Sequence, residues 1–226
     1  MEIFKRLAIG AANFGQEYHG TRCRDIDAVL DYCQCVGIDM LDCADAYNWD
    51  WQQVSNYFKC VVKVQSFNQE RIEPLLKQNP YCIMAHDSKL LYINRWWDYA
   101  FSVLFGASFY EPNEFFSYCP DDIKVVQLPY SLFDRRWEDY FGQMRRRHIE
   151  VHVRSVFLQG KILQEGKVDA KDCIAFALMN PNIDRVIIGV DSLDQLKRNL
   201  DYFCKLDLLK KDDLNLIDPR RWEKNK

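Results

Sequence analysis

Most of the features that mark special classes of protein are missing from this sequence. Glycine and proline are scarce, at 9 and 7 of 226 residues, which excludes a collagen-like or low-complexity chain. Charge of one sign is also missing. The chain carries 30 basic and 33 acidic side chains, a net of −3, so nucleic acid and anionic membranes find no field to exploit. No apolar run is long enough to span a bilayer, no N-x-[S/T] acceptor occurs, and Met1-Glu2-Ile3-Phe4-Lys5-Arg6 is not followed by an export-type apolar stretch. The nine cysteines are scattered and contain no Cys-x-x-Cys, so neither a zinc ribbon nor a thioredoxin-type redox pair is signalled. Several lie in apolar runs, such as Cys60-Val61-Val62, where cysteine acts as a small hydrophobe. The expectation is a cytoplasmic protein with no nucleic-acid or membrane partner and no metal.

What remains is a rhythm of short apolar runs alternating with stretches of helical period. The runs are Arg6–Gly10, Ile38–Ala44, Cys60–Val64, Tyr81–His86, Ser102–Ala107, Ile123–Tyr130, Ile149–Val156 and Arg185–Val190. Near-continuous apolarity suits parallel strands buried on both faces. Between them, Ile26, Val29, Leu30 and Cys33 follow the i, i+3, i+4, i+7 pattern, as do Trp137, Tyr140, Phe141 and Met144, with a similar stripe at Leu193, Leu196, Leu200 and Phe203. Ser192-x-x-Gln195 reads as a capping box, Glu111-Pro112 as a helix start, and Asn79-Pro80 and Asn180-Pro181 as helix stops. Eight strands, one helix per crossover and no linker predict a single α/β domain over residues 1–226, a (β/α)₈ barrel. An open doubly wound sheet is the alternative, but no glycine-rich phosphate fingerprint supports it. Gly10-Ala11-Ala12-Asn13-Phe14-Gly15 is not such a fingerprint and is expected to shape the barrel mouth instead.

Barrel enzymes keep their chemistry at the carboxyl ends of the strands. Here those ends carry polar groups that an apolar core would not choose: Asp42 with Tyr47 after strand two, Lys63 in strand three, and His86 closing strand four. An ammonium among valines needs an anion, and Asp42 on the adjacent strand can supply one. Each residue alone is readily explained as a structural ion pair or a satisfied histidine. Four of them converging from three consecutive strands point to catalysis.

These residues carry a resemblance to the aldo-keto reductases. Asp42-Cys43-Ala44-Asp45-Ala46-Tyr47 resembles that family's D-T-A-x-x-Y segment, and Lys63 and His86 fall where its catalytic Lys and His would. The likeness continues through Gly106–Tyr110, Val126–Arg135, Arg154–Gly160, Ile187–Ser192 and Asn199, covering about Leu7 to Leu200. It implies NAD(P)H-dependent reduction of an aldehyde or ketone, with Tyr47 as proton donor, Lys63 lowering the phenol's pKa, Asp42 holding Lys63, and His86 orienting the carbonyl. For the cofactor, NADP or NAD, it implies Ser108 and Gln127 at the nicotinamide amide and Arg154 covering the ring. Gln159 and Gly160 then line the pyrophosphate path and Ser192, Gln195 and Asn199 face the adenosine end, with Ser155, Phe157 and Gly189 as further cofactor contacts.

Three departures stand out. Cys43 and Asn48 replace the family's usual Thr and Gly, and Phe109 sits where many members carry an Asn that holds the carboxamide. No Lys or Arg stands at Gly189 or Gln195 to grip a 2′-phosphate, and Asp191 adds negative charge close by. With Lys197 and Arg198 left as cations on the following helix, the two cofactors are expected to bind within a factor of ten, about 1.4 kcal/mol. The Arg154-Ser155-Val156-Phe157-Leu158-Gln159-Gly160 segment resembles that of bacterial sugar-biosynthesis members.

Phe14, Tyr18, Trp49 and Trp51 are candidates for a substrate wall, the substrate being a small carbonyl compound and the protein a monomer. A catalytically idle barrel serving as a binding or regulatory protein is the rival reading. His148 and His152, both placed on the seventh strand, would lie about 13 Å apart, too far to share a metal. Arg145-Arg146-Arg147 is expected to end a helix, where cations complement the dipole.

Overall fold

The eight apolar runs become eight parallel strands of one closed barrel in the order β1 to β8: Leu7–Gly10, Met40–Ala44, Lys59–Val64, Cys82–Ala85, Leu104–Ser108, Val125–Pro129, Glu150–Arg154 and Arg185–Ile188. A computed structural model describes residues 3–93, 103–164 and 168–206; the expected strand start at Ser102 lies outside them. Closure comes from β1, which pairs with both β2 and β8. The helices are α1 Ile26–Val36, α2 Gln69–Lys77, α3 Leu90–Ile93, α4 Pro112–Tyr118, α5 Phe141–Arg146, α6 Lys161–Gln164, α7 Ala170–Met179 and α8 Leu193–Leu206.

Local chemistry explains the helix ends. Asn68 caps α2, its side chain accepting from the Arg71 N–H, and Glu111 with Glu114 forms a capping box ahead of Pro112. The last helix differs from expectation. Ser192 Oγ accepts from the Gln195 N–H at 3.2 Å, but Gln195 Oε1 reaches back to the Asp191 N–H at 2.6 Å, one residue before the expected partner. Arg145 and Arg146 close α5, and Arg145 pairs with Asp184 at 2.9 Å. His148 lies outside β7, in a left-handed turn at φ 54°, and only His152 is on the strand.

Two apolar layers result. Ala8, Met40, Val61, Cys82, Met84, Val125 and Ile187 fill the barrel's interior, and a larger cluster packs the helices on its outside. Because side chains alternate in and out along a strand, the inward series continues past this apolar layer at both ends. Toward the amino ends of the strands Lys59, Glu150, His152 and Arg185 continue it as a polar plug, joined by Asp39 and Tyr81 from just ahead of β2 and β4. Tyr81 donates to Glu150 Oε2 at 2.6 Å, His152 Nε2 lies 2.9 Å from Glu150 Oε1, and Arg185 donates to Asp39 Oδ1 at 2.7 Å, with Lys59 3.0 Å from the other Asp39 oxygen. Toward the carboxyl ends the inward series becomes the groove described below.

The plug makes stability depend on acid. Burial tends to raise the Asp39 and Glu150 pKa values, but Arg185 and Lys59 around the first, and His152, Tyr81 and Arg185 around the second, outweigh it and hold both below ordinary carboxylate values. A carboxylate depressed in the folded state contributes fully above its unfolded pKa and loses that contribution as pH falls through the folded one. The melting temperature should therefore be flat down to about pH 4.5, the ordinary glutamate value, and then fall. Glu150→Gln should flatten that fall; a parental slope in the variant would assign the acid sensitivity elsewhere.

Candidate active site

At the carboxyl ends of the strands a groove of about 350 Å³ opens, a volume in the range of small-molecule sites. Its wall at one end brings together Asp42 from β2, Tyr47 from the following loop, Lys63 from β3 and His86 just past β4. The barrel register accounts for the pairing. Asp42 faces Val61 across the ladder and Lys63 lies two residues on, within reach of its long side chain. Lys63 Nζ donates to Asp42 Oδ2 at 2.6 Å, and Gln127 Nε2 on β6 donates to Asp42 Oδ1 at 2.8 Å. Lys63 and Asp42 are 4% and 6% exposed, so this is a buried ion pair.

The electrostatics differ in one respect from expectation. Burial works to strip the proton from Lys63, but Asp42 and then Tyr47 outweigh it, so its pKa lies above the ordinary lysine value and the ammonium persists. The ammonium sits 5.5 Å from the Tyr47 ring centroid. Yet the Tyr47 phenol lies above its ordinary value, not below: burial raises it more than Lys63 lowers it. Desolvation is invisible in a linear sequence, and here it is the larger effect.

His86 is shifted the other way, lowered first by burial and then by Lys63. Its imidazole is therefore neutral at neutral pH. As pH falls, a histidine of depressed pKa stays unprotonated through the ordinary 6.5 and charges only below it. The Cε1 proton resonance of His86, assigned by its loss in His86→Asn, should titrate with a midpoint below 6.5. A midpoint above that value would place His86 in a different environment.

The rest of the groove runs over Ser108, Gln127, Arg154, Ser155, Phe157, Gln159 and Gly160 to Gly189, Asp191, Gln195 and Asn199. Arg154 donates to the Ser108 and Ser155 hydroxyls, each at 3.3 Å, with its guanidinium 4.1 Å from the Tyr110 ring centroid. The loop from Ser155 to Gly160 holds Ser155, Leu158 and Gln159 at positive φ, a costly backbone for side-chain-bearing residues that tends to occur at ligand sites. Gly160, also left-handed, and Gly189 have no atom within 4 Å of where a Cβ would stand.

Not every candidate lies in this groove. Ser192 is occupied in capping α8 and does not line it. Of the four aromatics expected at the substrate wall, only Tyr18 does. Phe14 is fully buried, with its ring edge-on to Trp49 at 5.0 Å, and Trp51 is buried too. Their rings gain more from packing under the loops than from facing a polar mouth. The loops are locked together there: a Cβ on Gly15 would collide with the Asn48 carbonyl.

Conversely, Asn13, His19, Thr21, Tyr110 and Leu163 line the groove without having been singled out. Asn13 is the informative one. It is buried in an otherwise small and apolar loop and donates to Val190 O and Asp191 Oδ1, both at 3.0 Å, tying the loop after β1 to the one after β8. The stretch Gly10–Gly15 was expected at the barrel mouth, but nothing in it marked Asn13 as the residue that joins the two loops.

Among the described residues no group of three His, Cys, Asp or Glu is disposed to hold a metal, and no helix is long and apolar enough to cross a membrane. No protein-family model and no curated protein matches the chain. Solved structures do resemble it. An aldo-keto reductase from Bacillus halodurans in its holo form is 18% identical with a TM-score of 0.65, covering 94% of this chain and 90% of its own. A Pseudomonas aeruginosa protein described as a candidate aldo-keto reductase is 16% identical with a TM-score of 0.68, covering 87% and 88%. An aldo-keto reductase from a Medee basin deep-sea metagenome is 14% identical with a TM-score of 0.64, covering 96% and 90%. The chain thus has the barrel found in aldo-keto reductases.

Proposed function

We propose that the protein reduces an aldehyde or ketone to an alcohol with a reduced nicotinamide dinucleotide, Tyr47 being the proton donor. The observation that carries this reading is the convergence of Tyr47, the buried Lys63–Asp42 pair and a neutral His86 in one groove at the carboxyl ends of the strands. The likeness in fold to aldo-keto reductases supports it.

The groove suits the cofactor. Gln127 Oε1 is a buried acceptor with no partner among the described residues, the complement of a carboxamide N–H, and Ser108 lines the same wall. Arg154 would cover the ring, and Ser155, Phe157, Gln159 and Gly160 would follow the phosphates. Gly189, Gln195 and Asn199 would meet the adenosine. The dinucleotide, when bound, supplies the hydride.

The residues supply the rest of the chemistry. Reduction builds negative charge on the substrate oxygen, which must be stabilised and protonated. Tyr47 O–H donates that proton. Lys63, kept charged by Asp42, offsets the phenolate left behind, and this counters the burial that otherwise makes Tyr47 a weaker acid. His86, being neutral, offers an N–H to the carbonyl oxygen and orients it without adding a second cation beside Lys63. The same reading makes the protein a cytoplasmic monomer whose partner is a small carbonyl compound.

Titrating NADH and NADPH against intrinsic fluorescence, then following nucleotide oxidation with a panel of aldehydes, ketones and sugars, tests the proposal. Saturable binding and turnover of one carbonyl class is the expected result. Failure of both nucleotides to bind would remove the reading in favour of an idle barrel.

A further inference from the structure

Where the loop after β8 lines the groove, a fixed carboxylate stands at the wall, and among the described residues no cation is paired with it. If the groove holds a nicotinamide dinucleotide beside Tyr47, as the proposed function has it, the adenosine falls to the end lined by Gly189, Asp191, Gln195 and Asn199. Helix α8 begins there, and a helix N-terminus ordinarily attracts phosphate because its first N–H groups lack partners. In this chain two of those donors are taken. Asp25 Oδ2 accepts from the Leu193 N–H at 3.0 Å, and Ser192 Oγ from the Gln195 N–H at 3.2 Å; just ahead of the helix, Gln195 Oε1 accepts from the Asp191 N–H at 2.6 Å. Three carboxylates stand nearby, Asp25, Asp191 and, in the first turn of α8, Asp194; Arg24 is beside them, its backbone N–H donating to Asp191 O at 3.3 Å, but it does not line the groove.

Cations do not compensate. Lys197 directs its Nζ to the face of Tyr32, 5.6 Å from the ring centroid, and neither it nor Arg198 lines the groove. Among the described residues no Lys or Arg lies within ion-pair distance of Asp191. That carboxylate is held at the wall by the buried Asn13, whose Nδ2 donates to Asp191 Oδ1 at 3.0 Å, with Gln195 Nε2 3.5 Å from its other oxygen.

We propose that Asp191 selects the dinucleotide whose adenosine ribose carries a free 2′-hydroxyl, making NADH rather than NADPH the cofactor. A hydroxyl can donate to the fixed carboxylate. A 2′-phosphate would be set against it, with the Leu193 and Gln195 N–H groups occupied and, among the described residues, no guanidinium or ammonium within ion-pair distance of Asp191. The structure thereby moves the balance beyond the near-equality that follows from the sequence, where Lys197 and Arg198 remained within reach.

Dissociation constants of NADH and NADPH, measured by nicotinamide fluorescence at one salt concentration, test this on the parent protein directly. NADH should bind at least tenfold more tightly. Asp191→Asn, which removes the charge but keeps an oxygen for Asn13, should narrow that ratio severalfold by strengthening NADPH; Asp191→Ser is the second variant should the first not fold. Equal or tighter binding of NADPH by the parent would overturn the assignment and leave the nicotinamide reading standing. An unchanged ratio in folded variants would overturn the role of Asp191. Binding of neither nucleotide would overturn this inference and the proposed function together.

Discussion

Replacing Tyr47 by phenylalanine should lower carbonyl reduction by about 10²–10⁴-fold while leaving nucleotide affinity nearly unchanged, the range expected for removal of a positioned general acid. The substitution keeps the ring, and with it the packing and the contact with Lys63 Nζ 5.5 Å from its centroid. What it removes is a phenol that burial holds above its ordinary pKa. A donor of raised pKa is reluctant to release its proton unless the phenolate is stabilised, and Lys63 is the group placed to do so. The loss should therefore appear in turnover rather than in binding. Near-parental turnover in Tyr47→Phe would end the assignment of Tyr47 and most of the mechanism with it.

Lys63→Met should abolish turnover and also destabilise the fold by about 3–5 kcal/mol, because it leaves a carboxylate buried without its cation. Asp42 would retain only the 2.8 Å hydrogen bond from Gln127. The double variant Asp42→Asn with Lys63→Met removes both charges together and should recover part of the stability and none of the activity. Chemical denaturation of the three proteins separates the effects. If Lys63→Met unfolds like the parent, the 2.6 Å pair is not a buried ion pair and its electrostatic role fails.

Much of this was legible in the sequence, and for a physical reason. Parallel strands covered on both faces must be apolar throughout, so all eight barrel strands stood out as runs. Their ends did not. Ile38, Ile123 and Tyr130 are almost completely buried yet lie outside β2 and β6. Apolarity reports burial, not ladder pairing. Two of the polar residues that interrupt strands were legible for the complementary reason: Lys63 is costly among valines, so its presence signalled a pairing with Asp42; the bond from Gln127 to Asp42 was not foreseen.

Properties set by three-dimensional surroundings were not legible. Sequence reasoning placed Phe14, Trp49 and Trp51 at the substrate wall because they sit in mouth loops. Whether a loop aromatic faces the groove or packs beneath it depends on contacts such as the one between Phe14 and Trp49. The direction of the Tyr47 shift followed the same rule, since the cation at Lys63 is visible in the chain and the desolvation that outweighs it is not. Lys197 and Arg198 could have reached a phosphate on sequence grounds alone; only the packing of Lys197 on Tyr32 shows where the first of them goes.

Transfer of deuterium from reduced nicotinamide labelled at its hydride position to a carbonyl panel, read by mass spectrometry in the parent and in Tyr47→Phe, tests the central claim most directly. The parent should deliver deuterium to the carbinol carbon of at least one class of carbonyl, and Tyr47→Phe should bind the nucleotide equally well and deliver about 10²–10⁴-fold less. Transfer at the parental rate by Tyr47→Phe, or none from the parent to any member of the panel with either nucleotide, would contradict it.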